Sequence, residues 1–427
     1  MNSTVNPDTQ TVFQFTEKKT RLSLQVGWET DKGGCSYNQD RKAYIPFDDG
    51  CLIAIADGHG TNGEVAAEIA VKSLEQFAQE HMSDLLQDQV AFLENACDYI
   101  HGEIVNGINN NRCGTTFSVI LLLGKKIYIA NVGDSTGIIC AKHNIFKPSH
   151  LKFEKDTAIT EKVVVASDEG VKLSDYIVLT DESHSPENIE EYKRMRNFKC
   201  SEENPNYAEL LCVYDKQHES KKHCPPIFNI LDNGEPELIP VDGSFEFYYK
   251  NVRKDKGTYV CVREGENAMS STRSFGDITL NKLGVSNKPM ISSMDLEIVF
   301  NDLKVAREEE AERNRKEEVK KQLDAINEVV GSITSSTVGV EPDPMSVCIV
   351  LCSDGVWDNW RYEHVQKFVM DKSCLKALEM DKSNGGQRVC KSFMMRNQTF
   401  ATKNFGRNSD NATGIVMYIT EEEGEKE

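Results

Sequence analysis

Short apolar runs that stop abruptly at an acidic residue recur along this chain of 427 residues. The clearest run covers 51–56 and stops at Asp57-Gly58-His59-Gly60, which is typical of a buried strand followed by a sharp turn. An acidic side chain at the end of a buried strand must be paired, hydrated or bound to a metal. These strand ends are therefore candidates for chemistry. Comparable breaks adjoin three more predicted strands: 127–132, 346–352 and 413–419.

The other periodic segments complete an α+β pattern. Alternation or apolar runs predict strands over 22–28, 42–47, 117–123, 137–141 and 176–179. Helical spacing predicts helices over 63–81, 83–108, 363–380 and 387–398. Because the helices lie between groups of strands and do not alternate with single strands, the pattern favours antiparallel sheets over a doubly wound parallel sheet.

The segment 142–268 has no continuous period. It predicts a helix over 186–196, with acidic residues early and basic residues late, and hairpin strands over 244–249 and 258–262. The rest of the segment mixes Pro, Asn, Lys and aromatic residues. We expect an insertion or lid here.

The segment 303–330 predicts a charge-dense helix. Oppositely charged residues stand four apart, as Glu309 and Arg313 do. An apolar stripe that starts at Val319 is confined to the second half of the helix. The stripe is too short for repeated heptads, so we expect a solvated helix docked at one end and not a coiled coil.

The charge balance and the cysteines narrow the class of protein. The 68 acidic residues outnumber the 49 basic ones and leave a formal net charge of −19, which argues against nucleic acid and anionic membranes as partners. No apolar run is long enough for a membrane span, and the first residues have no signal-peptide or myristoylation character. Thirteen cysteines without a Cys-x-x-Cys pair predict reduced thiols, not disulfides or zinc ligands. We expect a cytoplasmic protein, with the nucleus left open and a monomer as the default state.

Six aspartates stand at predicted strand ends. One alone would be read as a turn residue, but six would gather at one end of the sheets if the strands lie side by side. Such a cluster repels itself unless cations fill it, and oxygen ligands favour Mg²⁺ or Mn²⁺ over zinc. Two such ions can activate a water against a phosphate, and a neighbouring His59 can protonate the leaving oxygen. The six aspartates are Asp40, Asp57, Asp134, Asp354, Asp358 and Asp410.

The order of these motifs resembles that of the metal-dependent protein phosphatases of type 2C, the PPM family. The segment Leu179-Thr180-Asp181, with His184 and Pro186, is also similar to a segment that precedes the mobile flap of that family. The motifs that carry the resemblance are Asp57-Gly58-His59-Gly60, Gly114-Thr115-Thr116, Val132-Gly133-Asp134-Ser135, Arg273-Ser274-Phe275-Gly276-Asp277, Ser353-Asp354-Gly355-Val356-Trp357-Asp358 and Ser409-Asp410-Asn411.

The resemblance implies a fold and an activity. The fold is a four-layer α-β-β-α sandwich, in which two antiparallel sheets are flanked by helices. It would cover 22–420, between a flexible tail at 1–21 and an acidic tail at 421–427, and the activity would be hydrolysis of phosphoserine or phosphothreonine in proteins by a dimetal-activated hydroxide. Three segments are longer than this family core requires: 142–175, 195–268 and 303–345.

The resemblance also implies the metal ligands. Asp57 would bridge two Mg²⁺ or Mn²⁺ ions, and the carbonyl of Gly58 would bind one of them. Asp354 and Asp410 would serve one ion, while Asp40 would position the metal waters.

Three further residues match positions with a role in the family. Asp134 and Asp358 match positions that, together with Asp354, bind a weaker third ion in some members. His59 matches the general acid.

The sequence departs from the family pattern where phosphate is bound. Cys35 stands where many animal members have a phosphate-binding Arg, and Gln39 replaces a common Glu. Thr136 stands where Arg commonly follows the Gly-Asp-Ser triplet. Lys32 and Arg41 are the nearby cations that could bind the phosphate instead.

Two rival interpretations remain. A catalytically impaired pseudophosphatase would use the same fold to bind a phosphoprotein or another partner, and the missing Arg and the insertions favour it. The complete set of metal acids and His59 speak against it. A phosphohydrolase acting on a small phosphate ester is the third alternative.

Overall fold

The computed structural model describes residues 22–109, 112–156, 168, 170–180, 184–198, 210–216, 219–239, 247–263, 267–328 and 345–422. The tail expected at 1–21, Asp181 and most of the acidic tail lie outside the described residues.

Strands and helices alternate in groups along the chain. The strands are β1 Leu22–Asp31, β2 Asp40–Phe47, β3 Gly50–His59, β4 Gly114–Thr115, β5 Phe117–Leu123, β6 Lys126–Val132, β7 Thr136–Cys140, β8 Leu151–Asp156, β9 Tyr176–Val178, β10 Leu210–Tyr214, β11 Phe228–Ile230, β12 Pro236–Leu238, β13 Thr258–Val262, β14 Ala268–Met269, β15 Phe275–Gly276, β16 Met290–Asp295, β17 Ser346–Cys352 and β18 Ala412–Glu421. The helices are α1 Gly63–Glu80, α2 Met82–Gln87, α3 Gln89–Gly107, α4 Ile189–Asn197, α5 Ile278–Asn281, α6 Leu296–Glu328, α7 Asp354–Trp357, α8 Tyr362–Val369, α9 Lys372–Met380 and α10 Gly385–Asn404.

Two large antiparallel sheets form the body of the fold. One has the strand order β1-β18-β17-β7-β9, and the other has the order β15-β4-β3-β5-β6-β16-β8 with β2 paired to β3. The prediction of an antiparallel α+β fold is confirmed.

Strand β3 shows why the sheets lie in the middle of four layers. Its alternate residues Ile53 and Ile55 pack between the two sheets, while Leu52 and Ala54 pack against α1 and α3. A strand buried on both faces has an almost continuous apolar run, as this one does. A third apolar cluster joins the other sheet to α8–α10.

The region predicted to be an insertion or lid, 142–268, carries most of a small sheet and of a separate apolar cluster. Strands β10, β13 and β14 form the sheet, and β11 pairs with β12. Met195 of α4, Phe228 and Val260 belong to its cluster. The predicted hairpin strand 244–249 lies partly outside the described residues, and Tyr249 forms only an isolated bridge with Lys256.

Two of the predicted helices are each divided into two helices in the structure. The segment 83–108 is interrupted at Asp88, whose side chain accepts a hydrogen bond from the amide of Ala91 at 3.0 Å and thereby starts α3. Asp371 caps α9 in the same way, through the amide of Ser373. An acidic N-cap restarts the helix at each break.

The docked end of the charge-dense helix α6 is its beginning. Leu296, Phe300 and Leu303 are buried between the sheets, whereas Val319 is 55% exposed. Val319, at which the predicted apolar stripe starts, makes no docking contact, and the rest of the stripe lies beyond the described side chains. The pair Glu309–Arg313 is present at 3.5 Å.

Two expectations from composition can be compared with the structure. In the part of the chain that is described, every cysteine is a free thiol, and most are buried. Within the same residues, no helix combines the length and the apolar character that crossing a bilayer requires.

Candidate active site

Strands β2 and β3 place the first two acids side by side. Asp40 and Asp57 are directly paired in the antiparallel register. The amide of Gly58 donates to the carbonyl of Gln39 at 3.3 Å, and a Cβ at position 58 would lie 2.1 Å from the carbonyl oxygen of Gly63. Only glycine allows the strand end and the start of α1 to approach so closely.

The other sheet supplies Asp354 and Asp410 at the ends of β17 and β18. The hydroxyl of Ser353 accepts from the amide of Thr413 at 2.9 Å and donates to Oδ2 of Asp40 at 2.7 Å. This hydroxyl therefore ties the ends of the two sheets together. The predicted convergence of the acids depends on this contact between sheets.

A cavity of about 480 Å³ opens where these strand ends meet. Asp40 lies behind it and is only 3% exposed. The predicted residues that line the cavity are Asp57, Gly58, His59, Asp134, Asp354 and Asp410. Asp358 lines a neighbouring cavity that it shares with Asp134 and Asp354.

The carboxylates oppose one another's ionisation. Burial, followed by the charges of Asp40 and Asp354, raises the pKa of Asp57 well above its ordinary value. Burial and the charge of Asp410 do the same to Asp354. Burial also raises the pKa of Asp40 to about 6 and that of Asp358 to about 7. Ionising all of these carboxyls together is therefore unfavourable unless a cation lies among them.

His59 has a carboxylate partner that sequence reasoning missed. Its Nε2 lies 2.6 Å from Oδ2 of Asp277, which also accepts a hydrogen bond from Ser274 at 2.7 Å. Burial alone would lower the pKa of His59, but the charge of Asp277 and its hydrogen bond outweigh burial and raise it. This pairing favours an imidazolium that can donate a proton.

The two cations predicted to bind phosphate lie elsewhere. Arg41 donates to Glu68 at 2.6 Å and to the carbonyls of Asn38 and Asp40. Lys32 is exposed and does not line the cavity, whereas Arg112 does. Sequence reasoning missed Arg112, although it directly precedes the Cys-Gly-Thr-Thr motif.

Cys35 and Gln39, which replace family residues, both lie beside the site. The thiol of Cys35 is 3.9 Å from Oδ1 of Asp410. Gln39 donates to Glu64 at 3.0 Å, so the carboxylate of Glu64 lies next to the position at which the resemblance places a common Glu.

The donor set fits hard divalent cations. All of the donors are oxygens, and Oδ1 of the buried Asp40 has no hydrogen-bond partner. Among the described residues, no group of three or more His, Cys, Asp or Glu side chains is already assembled at metal-binding distances. Mg²⁺ usually binds through one or two carboxylates and keeps several of its waters. Carboxylates that do not all reach one point therefore suit a hydrated ion better than a zinc ion held by four side chains.

Comparison with known proteins relates part of the chain to one family. Residues 34–168 match the family model described as "Protein phosphatase 2C". This segment is less than half of the chain, and the match is a similarity of that part to the type 2C protein phosphatases. The matched segment contains Asp40, Asp57 and Asp134.

Similar proteins cover only part of the chain. It is 33% identical over 94 residues to "Probable protein phosphatase 2C 45" of Oryza sativa, a match of 22% of this chain and 32% of the relative. It is 29% identical over 120 residues to "Serine/threonine phosphatase stp" of Listeria monocytogenes, covering 26% of this chain and 44% of the relative. The chain thus matches less than half the length of these curated relatives.

A solved structure supports the fold over nearly the whole chain. The serine-threonine phosphatase 2C of Toxoplasma gondii is similar with a TM-score of 0.50 and 15% identity, covering 96% of this chain and 98% of the other. At this identity the likeness concerns the fold alone. The four-layer arrangement expected from the motifs is therefore confirmed.

Proposed function

We propose that this protein is a metal-dependent serine/threonine phosphatase that hydrolyses phosphate esters on proteins. The observation that carries the proposal is the shared cavity, in which the paired His59 stands beside Asp57, Asp354 and Asp410. A proton donor next to carboxylates that can hold divalent cations suits metal-assisted hydrolysis of a phosphate ester.

The acids would hold two Mg²⁺ or Mn²⁺ ions. Asp57 would serve both ions and the carbonyl of Gly58 would bind one of them. Asp354 and Asp410 would complete the protein contribution, and Asp40 would orient waters from behind. When bound, such cations acidify water and neutralise the charge of the phosphate.

The other groups act on the substrate. His59 would give its proton to the seryl or threonyl oxygen as that oxygen leaves, and Asp277 would hold the ring in position and favour its charged form. Arg112, which lines the same cavity, is the proposed contact for the phosphate.

One assay tests this function. Phosphate release from a phosphothreonine peptide would be measured with Mn²⁺ or Mg²⁺ for the wild type, Asp57→Asn and Asp354→Asn. The matched control is Asp49→Asn, which removes the same charge at the exposed opposite end of the strand pair β2–β3. We expect turnover in the wild type and the control and its loss in both site variants.

The same assay separates the rival functions. Lack of turnover by the wild type at saturating metal would favour the pseudophosphatase, and hydrolysis of p-nitrophenyl phosphate without peptide turnover would favour a small phosphate ester as the substrate. Turnover that survives Asp57→Asn would refute the proposed centre. The cytoplasmic location and the monomeric state remain predictions.

A further inference from the structure

The outer helical layer formed by α8, α9 and α10 is basic, although the chain as a whole is acidic. Residues 361–407, which contain these helices, include ten Lys or Arg residues and four Asp or Glu residues, a formal net charge of +6. Because the whole chain carries −19, the remaining residues together carry −25. All ten of the basic residues are exposed. The layer is therefore a positively charged surface on an otherwise negative protein.

A cavity of about 740 Å³ opens between these three helices. Its apolar wall is built around Trp360, which is only 4% exposed. The ring centre of Trp360 lies 5.8 Å from that of Phe368 and 5.1 Å from that of Phe400. Both phenylalanines also line the cavity and are half-buried. Cavities of this size with an aromatic lining are typical of binding sites.

Exposed cations line the same cavity, namely Lys367, Arg388 and Arg396. Arg388 is paired with Asp381 at 2.9 Å, whereas Lys367 and Arg396 form no ion pair with any of the described residues. Asp371 is the acidic residue among those that line the cavity, and its side chain caps α9. The cavity thus combines an apolar wall with an excess of positive charge.

This cavity is separate from the candidate active site. Among the described residues, it shares no lining residue with the two cavities that contain Asp57 and Asp358. It lies in the helical layer that covers the sheet β1-β18-β17-β7-β9 through the third apolar cluster. Binding at this place therefore does not depend on the proposed catalytic activity.

We propose that this cavity is a docking site for an acidic segment of a partner protein, which inserts an aromatic or aliphatic side chain between the three helices. The unpaired cations of the cavity favour an acidic partner, because complementary charge sets the specificity of such contacts. An apolar side chain of the partner would be stabilised by burial against Trp360, Phe368 and Phe400. Trp and Arg, which both line this cavity, are enriched among the residues that dominate the affinity of protein interfaces. A membrane surface is less suitable, since it needs apolar side chains that protrude, and these three are at least half-buried.

The test selects ligands of the full-length protein without assuming their sequence. A display library of short random peptides would be selected on the wild type, and fluorescence polarisation would give the Kd of each enriched peptide. Two variants alter the cavity: Arg396→Glu reverses an unpaired charge, and Ser392→Trp fills the space. Circular dichroism would verify that each variant is folded.

Each cavity variant has a matched control. Arg313→Glu makes the same charge reversal at an exposed position of α6, outside the basic layer. Thr399→Trp places the same large side chain on α10 at an exposed residue that does not line the cavity. Like Ser392, Thr399 donates its hydroxyl to the carbonyl four residues earlier, so the two Trp variants lose equivalent hydrogen bonds.

We expect the enriched peptides to combine acidic residues with at least one aromatic or large aliphatic residue. Their Kd should rise by about tenfold or more in both cavity variants and stay within about twofold of the wild type in both controls. Failure to enrich such peptides would overturn the proposal, and so would a Kd that the cavity variants leave unchanged. If Ser392→Trp does not fold, the comparison of Arg396→Glu with Arg313→Glu still tests the proposal.

Two other anionic ligands would be titrated with the wild type and Arg396→Glu. They are phosphatidylcholine vesicles with and without phosphatidylserine, and a DNA duplex. Binding of either one that Arg396→Glu abolishes, when no acidic peptide is enriched, would overturn the proposal and identify the basic layer as a membrane or nucleic-acid surface.

Discussion

The buried carboxylate of Glu191 offers a sharp test of how the region predicted to be an insertion or lid, 142–268, is held to the core. Its side chain is fully buried and lies 2.6 Å from Nη2 of Arg273 and 2.8 Å from Nη2 of Arg194. The hydroxyl of Thr272 donates to it at 2.6 Å. Because α4 carries Glu191 while Arg273 lies in the segment before β15, this network joins two distant parts of the chain.

The substitution Glu191→Gln would remove the negative charge and leave Arg273 buried without its counterion. Breaking a buried pair by removing one partner costs about 3–5 kcal/mol. The amide oxygen of Gln keeps part of the hydrogen bonding, so we expect a loss of about 3 kcal/mol in the free energy of unfolding. The matched control is Glu309→Gln, because Glu309 and Arg313 are each 64% exposed and such a pair contributes about 0–1 kcal/mol.

The dependence on pH gives a second readout. Burial works to raise the pKa of Glu191, but Arg273 and Arg194 outweigh burial and lower it from the ordinary 4.5. A carboxyl with a lowered folded-state pKa stabilises the protein above that ordinary value, and this contribution is lost as the pH falls through the folded-state pKa. The difference between the wild type and Glu191→Gln should therefore be constant near neutral pH and shrink below about pH 4.5.

Urea unfolding followed by circular dichroism would measure both effects. The reasoning fails if Glu191→Gln is no less stable than Glu309→Gln at pH 7. It also fails if the difference from the wild type grows as the pH falls.

Three substitutions test the candidate active site. Asp277→Asn should lower kcat by about 10-fold to 100-fold. Because Asp277 raises the pKa of His59, the alkaline limb of the pH–rate profile should also move to lower pH. An unchanged pH–rate profile would contradict this. Cys35→Arg should lower the KM for a phosphopeptide by about tenfold, because the thiol that it replaces lies 3.9 Å from Asp410 at the site. Cys35→Ser should leave the KM unaltered. Equal KM values for the two variants would count against phosphate binding from position 35. Gly58→Ala should lower the free energy of unfolding by about 1–3 kcal/mol, because the new Cβ would lie 2.1 Å from the carbonyl oxygen of Gly63 in α1. An unchanged thermal midpoint would rule out the predicted clash.

Local pattern was sufficient for the central strands. The predicted ranges 117–123 and 346–352 coincide with β5 and β17. Both are continuous apolar runs between turn residues, and in the fold both are buried. A strand that packs on both faces needs apolar residues at almost every position, so its sequence pattern alone is enough to locate it.

Helix boundaries were less predictable. The apolar period continues through Asp88, so periodicity predicted one helix where there are two. Asp is a common N-cap, and this signal could have located the break. The docking of α6 through Leu296 and Phe300 had no comparable signal, because those residues precede the charged stretch that identified the helix.

Contacts between distant segments could not be predicted from local pattern. Asp277 lies 218 positions from His59, and its side chain reaches His59 from the start of α5. Arg41 was a plausible phosphate ligand by position, but it lies next to Asp40 on a strand, and successive side chains point to opposite faces.

The sequence by itself determined the strand-forming runs, the acids at their ends and hence the chemistry that those acids could perform. These properties are local, since burial and turn formation depend on neighbouring residues. The tertiary structure alone decided which acids share a cavity, which carboxylate pairs with His59 and which cations stay outside. Those outcomes depend on how two sheets and an insertion pack, and the packing brings together residues that no sequence interval relates.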